Sequence, residues 1–202
     1  MLKQATPAQK ATFERLRVLF SAKGVKFTLA GAAACREHGL RRPTDDLDIV
    51  ISPYTAAIDI LLRSGKFAVS PDSKDWTNRT CTLQDLKTGV LIDFLTGGIR
   101  INDHTWFPGG EVHDPLPIPN PSGFGNVADL PTLIKMKVSV LISGTDMHRF
   151  GATSGVRTKE EIQQDIEDVA DLISICKLER NLPLGNDKVQ RRYEEIFDNR
   201  RP

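Results

Sequence analysis

Between Phe27 and Ile51 an apolar stretch, Phe27-Thr-Leu-Ala30, meets a turn of small residues, Gly31-Ala-Ala-Ala34, and a second apolar stretch later opens on alternating acids, Asp46-Leu-Asp48-Ile-Val-Ile51. In a strand the side-chain period is two, so Leu47, Ile49 and Ile51 share one face while Asp46 and Asp48 share the other. Carboxylates aimed the same way repel each other. Either water solvates them or a cation joins them.

The rest of the chain supplies the surroundings of that stretch. Thr6-Pro-Ala-Gln9 has the form of a capping box, with Pro7 in the first helical position, and Phe13, Leu16, Leu19 and Phe20 follow on one helical stripe up to Gly24. Val25–Ala30 reads as a short strand, and Gly31 opens a second helix that Gly39 closes. After the acidic strand, Ser52-Pro53 is the expected cap of a third helix through Ile60, Leu61 and Leu62, and Lys66–Ser70 reads as a strand. Thr80–Gln84 and Val90–Leu95 flank Asp85-Leu-Lys-Thr-Gly89, the pattern of a hairpin. On its second strand Asp93 stands between Ile92 and Phe94, where an unpaired structural acid is costly.

Residues 96–122 are rich in Gly, Pro, Asn and Asp and read as a long loop, in which Trp106 and Phe107 fit residues that pin it to the core, with stacking on a base or acceptor as the alternative. A helix is expected from Asp129 to about Ile142, then a polar segment from Gly144 to Arg157, with Arg149, Arg157 and Lys159 solvated. Thr158-Lys-Glu-Glu161 is a second capping box, opening a helix through Ile162, Ile166, Val169, Ile173 and Cys176. Asp165, Asp168 and Asp171 read as a solvated face of that helix, and Val189, Tyr193, Ile196 and Phe197 mark a last helix. Strands interleaved with helices, then helices without strands, predict an α/β (α+β) fold with a helical carboxy-terminal part: an α/β core over residues 1–125 and a helical extension over 126–202 packed on it.

At 202 residues the chain is long enough for one domain with a small extension and too short for two full ones. Its 27 basic and 26 acidic side chains give no global electrostatic reason to expect nucleic-acid or membrane binding, so any anion site must be local. The apolar segments are too short to span a bilayer and the amino terminus lacks a signal-type apolar stretch, so a cytoplasmic protein is the expectation. Cys35, Cys81 and Cys176 match no metal-ligand spacing and read as reduced, mostly buried thiols.

Three carboxylates on strands that can be neighbours, after a small-residue turn at a helix start, are what metal-dependent phosphoryl transfer needs. The order Leu29-x-Gly31-Ala32, Asp46-Leu-Asp48-Ile49 and Ile92-Asp93-Phe94 resembles the nucleotidyltransferase superfamily. More narrowly, Gly31-Ala-Ala-Ala-Cys-Arg-Glu-His-Gly39 with Arg42-Pro-Thr-Asp-Asp-Leu-Asp48 is similar to the AbiEii-type toxin and small standalone nucleotidyltransferases, as is Gln164-Asp165-Ile-Glu-Asp168 apart from its glutamine. The resemblance implies a nucleotidyltransferase-like mixed sheet flanked by helices. It implies Mg²⁺ or Mn²⁺ held by Asp46, Asp48 and Asp93, an NTP such as ATP contacted by Gly31, Ala32, Arg42, Thr44 and Lys137, and transfer of its NMP to a hydroxyl of RNA, such as tRNA, or of a small molecule. Ala32 departs from the family's glycine or serine and places a methyl where phosphate would approach, so altered nucleotide binding is expected. An Asp-x-Asp pair by itself fits a solvated strand end, and His38 fits a residue that closes a helix. A catalytically weak binding module, and a hydrolase using the same acids, are the competing readings.

Overall fold

The computed structural model describes residues 2–71, 80–97, 119–149 and 158–200. Trp106, Phe107 and Arg157 lie outside them, as does most of the expected 96–122 loop. The described residues fall into two compact units, the first holding the sheet and three helices, the second holding three helices and the short segment His38–Leu40.

In the first unit the helices are α1 (Pro7–Ser21), α2 (Gly31–Glu37) and α3 (Tyr54–Arg63), and the strands are β1 (Lys26–Ala30), β2 (Leu47–Ser52), β3 (Phe67–Val69), β4 (Thr80–Asp85), β5 (Leu91–Thr96) and β6 (Phe124–Val127). They form one mixed sheet in the order β3-β4-β5-β2-β1-β6. β2 is central, antiparallel to β1 and parallel to β5. Leu47, Ile49 and Ile51, with Phe27, Leu29, Leu83, Ile92 and Phe94 on the paired strands, are essentially closed to water, and each such side chain contributes about 1.5–3 kcal/mol by burial. α1 covers this face, with the rings of Phe13 and Phe20 both 5.3 Å from that of Phe27. Its capping box forms as the sequence predicts. Asp85 anchors the other end of the contact: its buried carboxylate accepts from the Arg15 guanidinium, from the Thr12 hydroxyl at 2.8 Å and from the Lys87 amide at 2.9 Å.

One local expectation fails in this unit, and one strand carries no sequence signal. Ser52 does not cap α3. It is the last residue of β2, paired with Lys26, and the cap position passes to Pro53, whose side chain makes no capping bond. β6 has no alternating apolar signature and pairs in parallel with β1 through a register shift at Phe27/Thr28.

The second unit contains α4 (Leu130–Arg149), α5 (Lys159–Cys176) and α6 (Asp187–Asn199), which pack on one another. α4 continues past Gly144, where a polar irregular segment was expected. Propensity is a weak prior, and one glycine costs about 1 kcal/mol in a helix, too little to end one that is otherwise supported. α5 starts at the Thr158 capping box and ends at Lys177 in the left-handed conformation. Among the described residues no helix is long and apolar enough to cross a membrane.

Candidate active site

The face of the sheet opposite α1 carries the acids. Asp48 on β2 lies directly across from Asp93 on β5, in parallel register, so the two carboxylates leave neighbouring strands on the same side. Asp46 comes one residue before the first paired position of β2 and two before Asp48. All three side chains are half-buried.

Each acid has a specific neighbour. The Thr44 hydroxyl donates to Asp46 Oδ1, and the Thr82 hydroxyl donates to Asp93 Oδ1 at 2.6 Å from the adjacent strand. Asp48 lies against the turn between β1 and α2. A Cβ added to Gly31 would stand 1.6 Å from Asp48 Oδ2, and Gly31 has φ +59, where an L side chain is strained. A glycine is therefore required at 31 for two independent reasons, and Ala32 can follow it because the demand ends one residue earlier. Burial pushes the Asp93 carboxyl above the usual carboxylate range; the Thr82 hydrogen bond opposes this, and the negative charge of Asp46 adds to it.

Among the described residues, no three His, Cys, Asp or Glu side chains already converge on one ion. The donor set nevertheless fits Mg²⁺ or Mn²⁺, which take hard oxygen ligands. Mg²⁺ is usually held by one or two carboxylates together with substrate phosphates, not by a cage made wholly of protein. Asp46 with Asp48, and Asp48 with Asp93, offer that partial set.

The other residues singled out in the sequence separate by unit. Gly31, Ala32, Arg42 and Thr44 belong to the first unit with the acids, and Arg42 is half-buried. Lys137 belongs to the helical unit, where its ammonium donates to Asp165 at 2.8 Å and Asp168 at 2.7 Å. Asp165 and Asp168 are buried, at 5% and 2% exposure, which corrects their reading as a solvated face; Asp171 is exposed. Their positions share the stripe of Val169, Leu172 and Ile173, so the helical period itself marked them as inward-facing. His38 is likewise tied to α5, its carbonyl accepting from the Cys176 thiol at 3.4 Å. Thr82 carried no motif signal. Its contact with Asp93 follows from the hairpin register, which places them opposite each other.

The fold can be compared with solved structures. An antigenic nucleotidyltransferase-like protein from Paracoccidioides brasiliensis superposes with a TM-score of 0.50 at 15% identity, covering 97% of this chain and 90% of that one. The chain has the nucleotidyltransferase fold. ANT(2")-Ia in complex with adenylyl-2"-tobramycin gives a TM-score of 0.48 at 11% identity, covering 93% of this chain and 96% of that one. The Thermotoga maritima CCA-adding enzyme complexed with tRNA gives 0.38 at 16% identity, and the match covers 96% of this chain but 52% of that enzyme. No family model matches the sequence, and no curated protein is significantly similar to it.

Proposed function

We propose that the protein is a metal-dependent nucleotidyltransferase that moves a nucleoside monophosphate from an NTP to a hydroxyl acceptor and releases pyrophosphate. The observation that carries this reading is the pairing of Asp48 with Asp93 across β2 and β5, with the Asp48 carboxylate against Gly31 where the chain turns into α2. On a sheet of this fold it supports a cation and a triphosphate held together.

In this reading Asp46 and Asp48 would hold a divalent ion beside the triphosphate, and Asp93 would serve the side of the acceptor. Mg²⁺ or Mn²⁺ bound there supplies charge neutralisation and lowers the pKa of the acceptor hydroxyl. The residues of this chain contribute position: Thr44 and Thr82 orient two of the carboxylates, and the Gly31–Ala32 turn offers backbone N–H groups to phosphate. Arg42 is the cationic side chain nearest in sequence to the acids and is assigned to phosphate. For Lys137, the pairing with two buried carboxylates supports a structural role in the helical unit over a phosphate contact.

The acceptor hydroxyl gives up its proton to solvent, its oxygen attacks the α-phosphorus, the bond from that phosphorus to the bridging oxygen breaks, and pyrophosphate departs. RNA such as tRNA, or a small hydroxylated molecule, is the acceptor class; the near-zero net charge favours a small footprint over an extended nucleic-acid surface. The Ala32 methyl favours a second reading, a module that binds nucleotide without transferring it. Calorimetry with each NTP and Mg²⁺ tests the first part of the proposal. Binding by wild type and its loss in an Asp46→Ala/Asp48→Ala variant is the expected result, while equal binding by the two proteins removes the acids from the site.

A further inference from the structure

The three acids are not held in the same way. Asp48 is paired on both sides, with Ala30 and with Asp93, and Asp93 is paired with Asp48 and Thr82. The ladder fixes where those two side chains start. Asp46 precedes Leu47, the first residue of β2 to pair with β5, so the ladder does not fix it.

Its main chain is fixed from elsewhere. The side-chain amide of Gln9, in the first turn of α1, donates through Nε2 to the carbonyl of Thr44 at 2.9 Å and to that of Asp46 at 3.0 Å. Its Oε1 accepts from the Thr6 amide at 3.0 Å, so both ends of the amide are engaged. Gln9 is 1% exposed, and α1 is itself fastened to the sheet through Phe13, Phe20 and the Asp85 cluster. In sequence Gln9 reads as a capping residue and nothing more. In space it joins the helix cap to the two residues whose hydroxyl and carboxylate face each other, Thr44 and Asp46.

We infer that Gln9 is the positioning residue for Asp46: it replaces the missing ladder contacts and so sets the direction in which that carboxylate meets a divalent cation. The inference rests on the nucleotidyltransferase reading of the acids. Gln9 touches no substrate and acts through the Thr44–Asp46 backbone. Partners that orient a ligating carboxylate commonly change metal affinity by about 10- to 100-fold when removed.

The test is a Mn²⁺ titration of the intact chain by calorimetry, without nucleotide or turnover. Gln9→Met keeps the length of the side chain and removes its donors; Thr6→Ala removes the hydroxyl of the cap and leaves Gln9 Nε2 in place. The expected result is affinity about tenfold weaker in Gln9→Met, unchanged in Thr6→Ala, and no further loss when Gln9→Met is added to Asp46→Ala. If Gln9→Met does not fold, Gln9→Glu takes its place, since it keeps the acceptor for Thr6 and turns a carboxylate toward two carbonyls, with the same loss expected. Unchanged affinity in the Gln9 variants, an equal loss in Thr6→Ala, or an undiminished loss in the Asp46→Ala background overturns the inference while the metal site stands. Absence of Mn²⁺ binding by wild type, or binding indifferent to Asp46→Ala, overturns the metal site and the role of Gln9 with it.

Discussion

A single methyl group at position 31 takes the proposed site apart. Gly31→Ala puts a Cβ into the Asp48 carboxylate at a φ of +59, where an L residue costs about 1–2 kcal/mol. We expect stability to fall by at least that amount on denaturant unfolding and nucleotide binding to be lost, whereas Ala32→Gly leaves stability within about 1 kcal/mol and strengthens NTP binding. Asp93 sets the opposite relation between function and stability. Its folded pKa is raised, first by burial, so the folded state holds its proton more tightly than the unfolded chain. Stability therefore falls as pH rises from the unfolded value through the folded one, and the deficit persists above it. Asp93→Asn should be more stable than wild type at pH 7.5, with the difference shrinking as pH drops below the ordinary carboxylate range. Urea unfolding at both ends of that range checks this, and a destabilised variant at pH 7.5 would refute it. Gly31 and the acids were legible because their signals are local: a helix start, and a period of two. Thr82 was not, because hydroxyls are common on strands and its partner is fixed by pairing across the hairpin.

At the scale of elements, the capping boxes of α1 and α5 were legible because both halves of each lie within one turn, Thr6 with Gln9 and Thr158 with Glu161. The hairpin of β4 and β5 was legible for the same reason. β6 was hidden. Its burial alternates only between half-buried and exposed, and its Gly125, at φ +83, lies where a Cβ would come within 2.9 Å of the Phe27 ring. Backbone room for two phenylalanines of other elements, not side-chain pattern, dictates that strand. α5 carries two acids inward, and the lysine of α4 that answers them is 28 residues from Asp165 and 31 from Asp168. Lys137→Met removes the ammonium that donates to both buried carboxylates and should cost about 3–5 kcal/mol of stability in chemical denaturation. If stability holds and NTP affinity falls instead, the lysine serves phosphate and the structural assignment is wrong.

Across the whole molecule, the order β5-β2-β1 explains how residues distant in sequence form one face: β1 delivers the Gly31 turn, β2 delivers Asp48, and β5 runs parallel beside it with Asp93. The sequence motifs named the parts, and the sheet register puts Asp48 and Asp93 opposite each other. What remained illegible is the layer behind them, where Gln9 and Thr82 reach the acids through contacts that no short pattern encodes. The balanced charge of the chain points to a locally built site, and the activity proposed for that site is nucleotide transfer. It is tested most directly by incubating the protein with Mg²⁺ and α-labelled NTPs in the presence of separate RNA and small-metabolite pools, and following the label. The expected result is label joined covalently to one acceptor pool with matching pyrophosphate release, absent in Asp46→Ala/Asp48→Ala. Label appearing as free monophosphate, or remaining entirely in NTP across all pools, would contradict it.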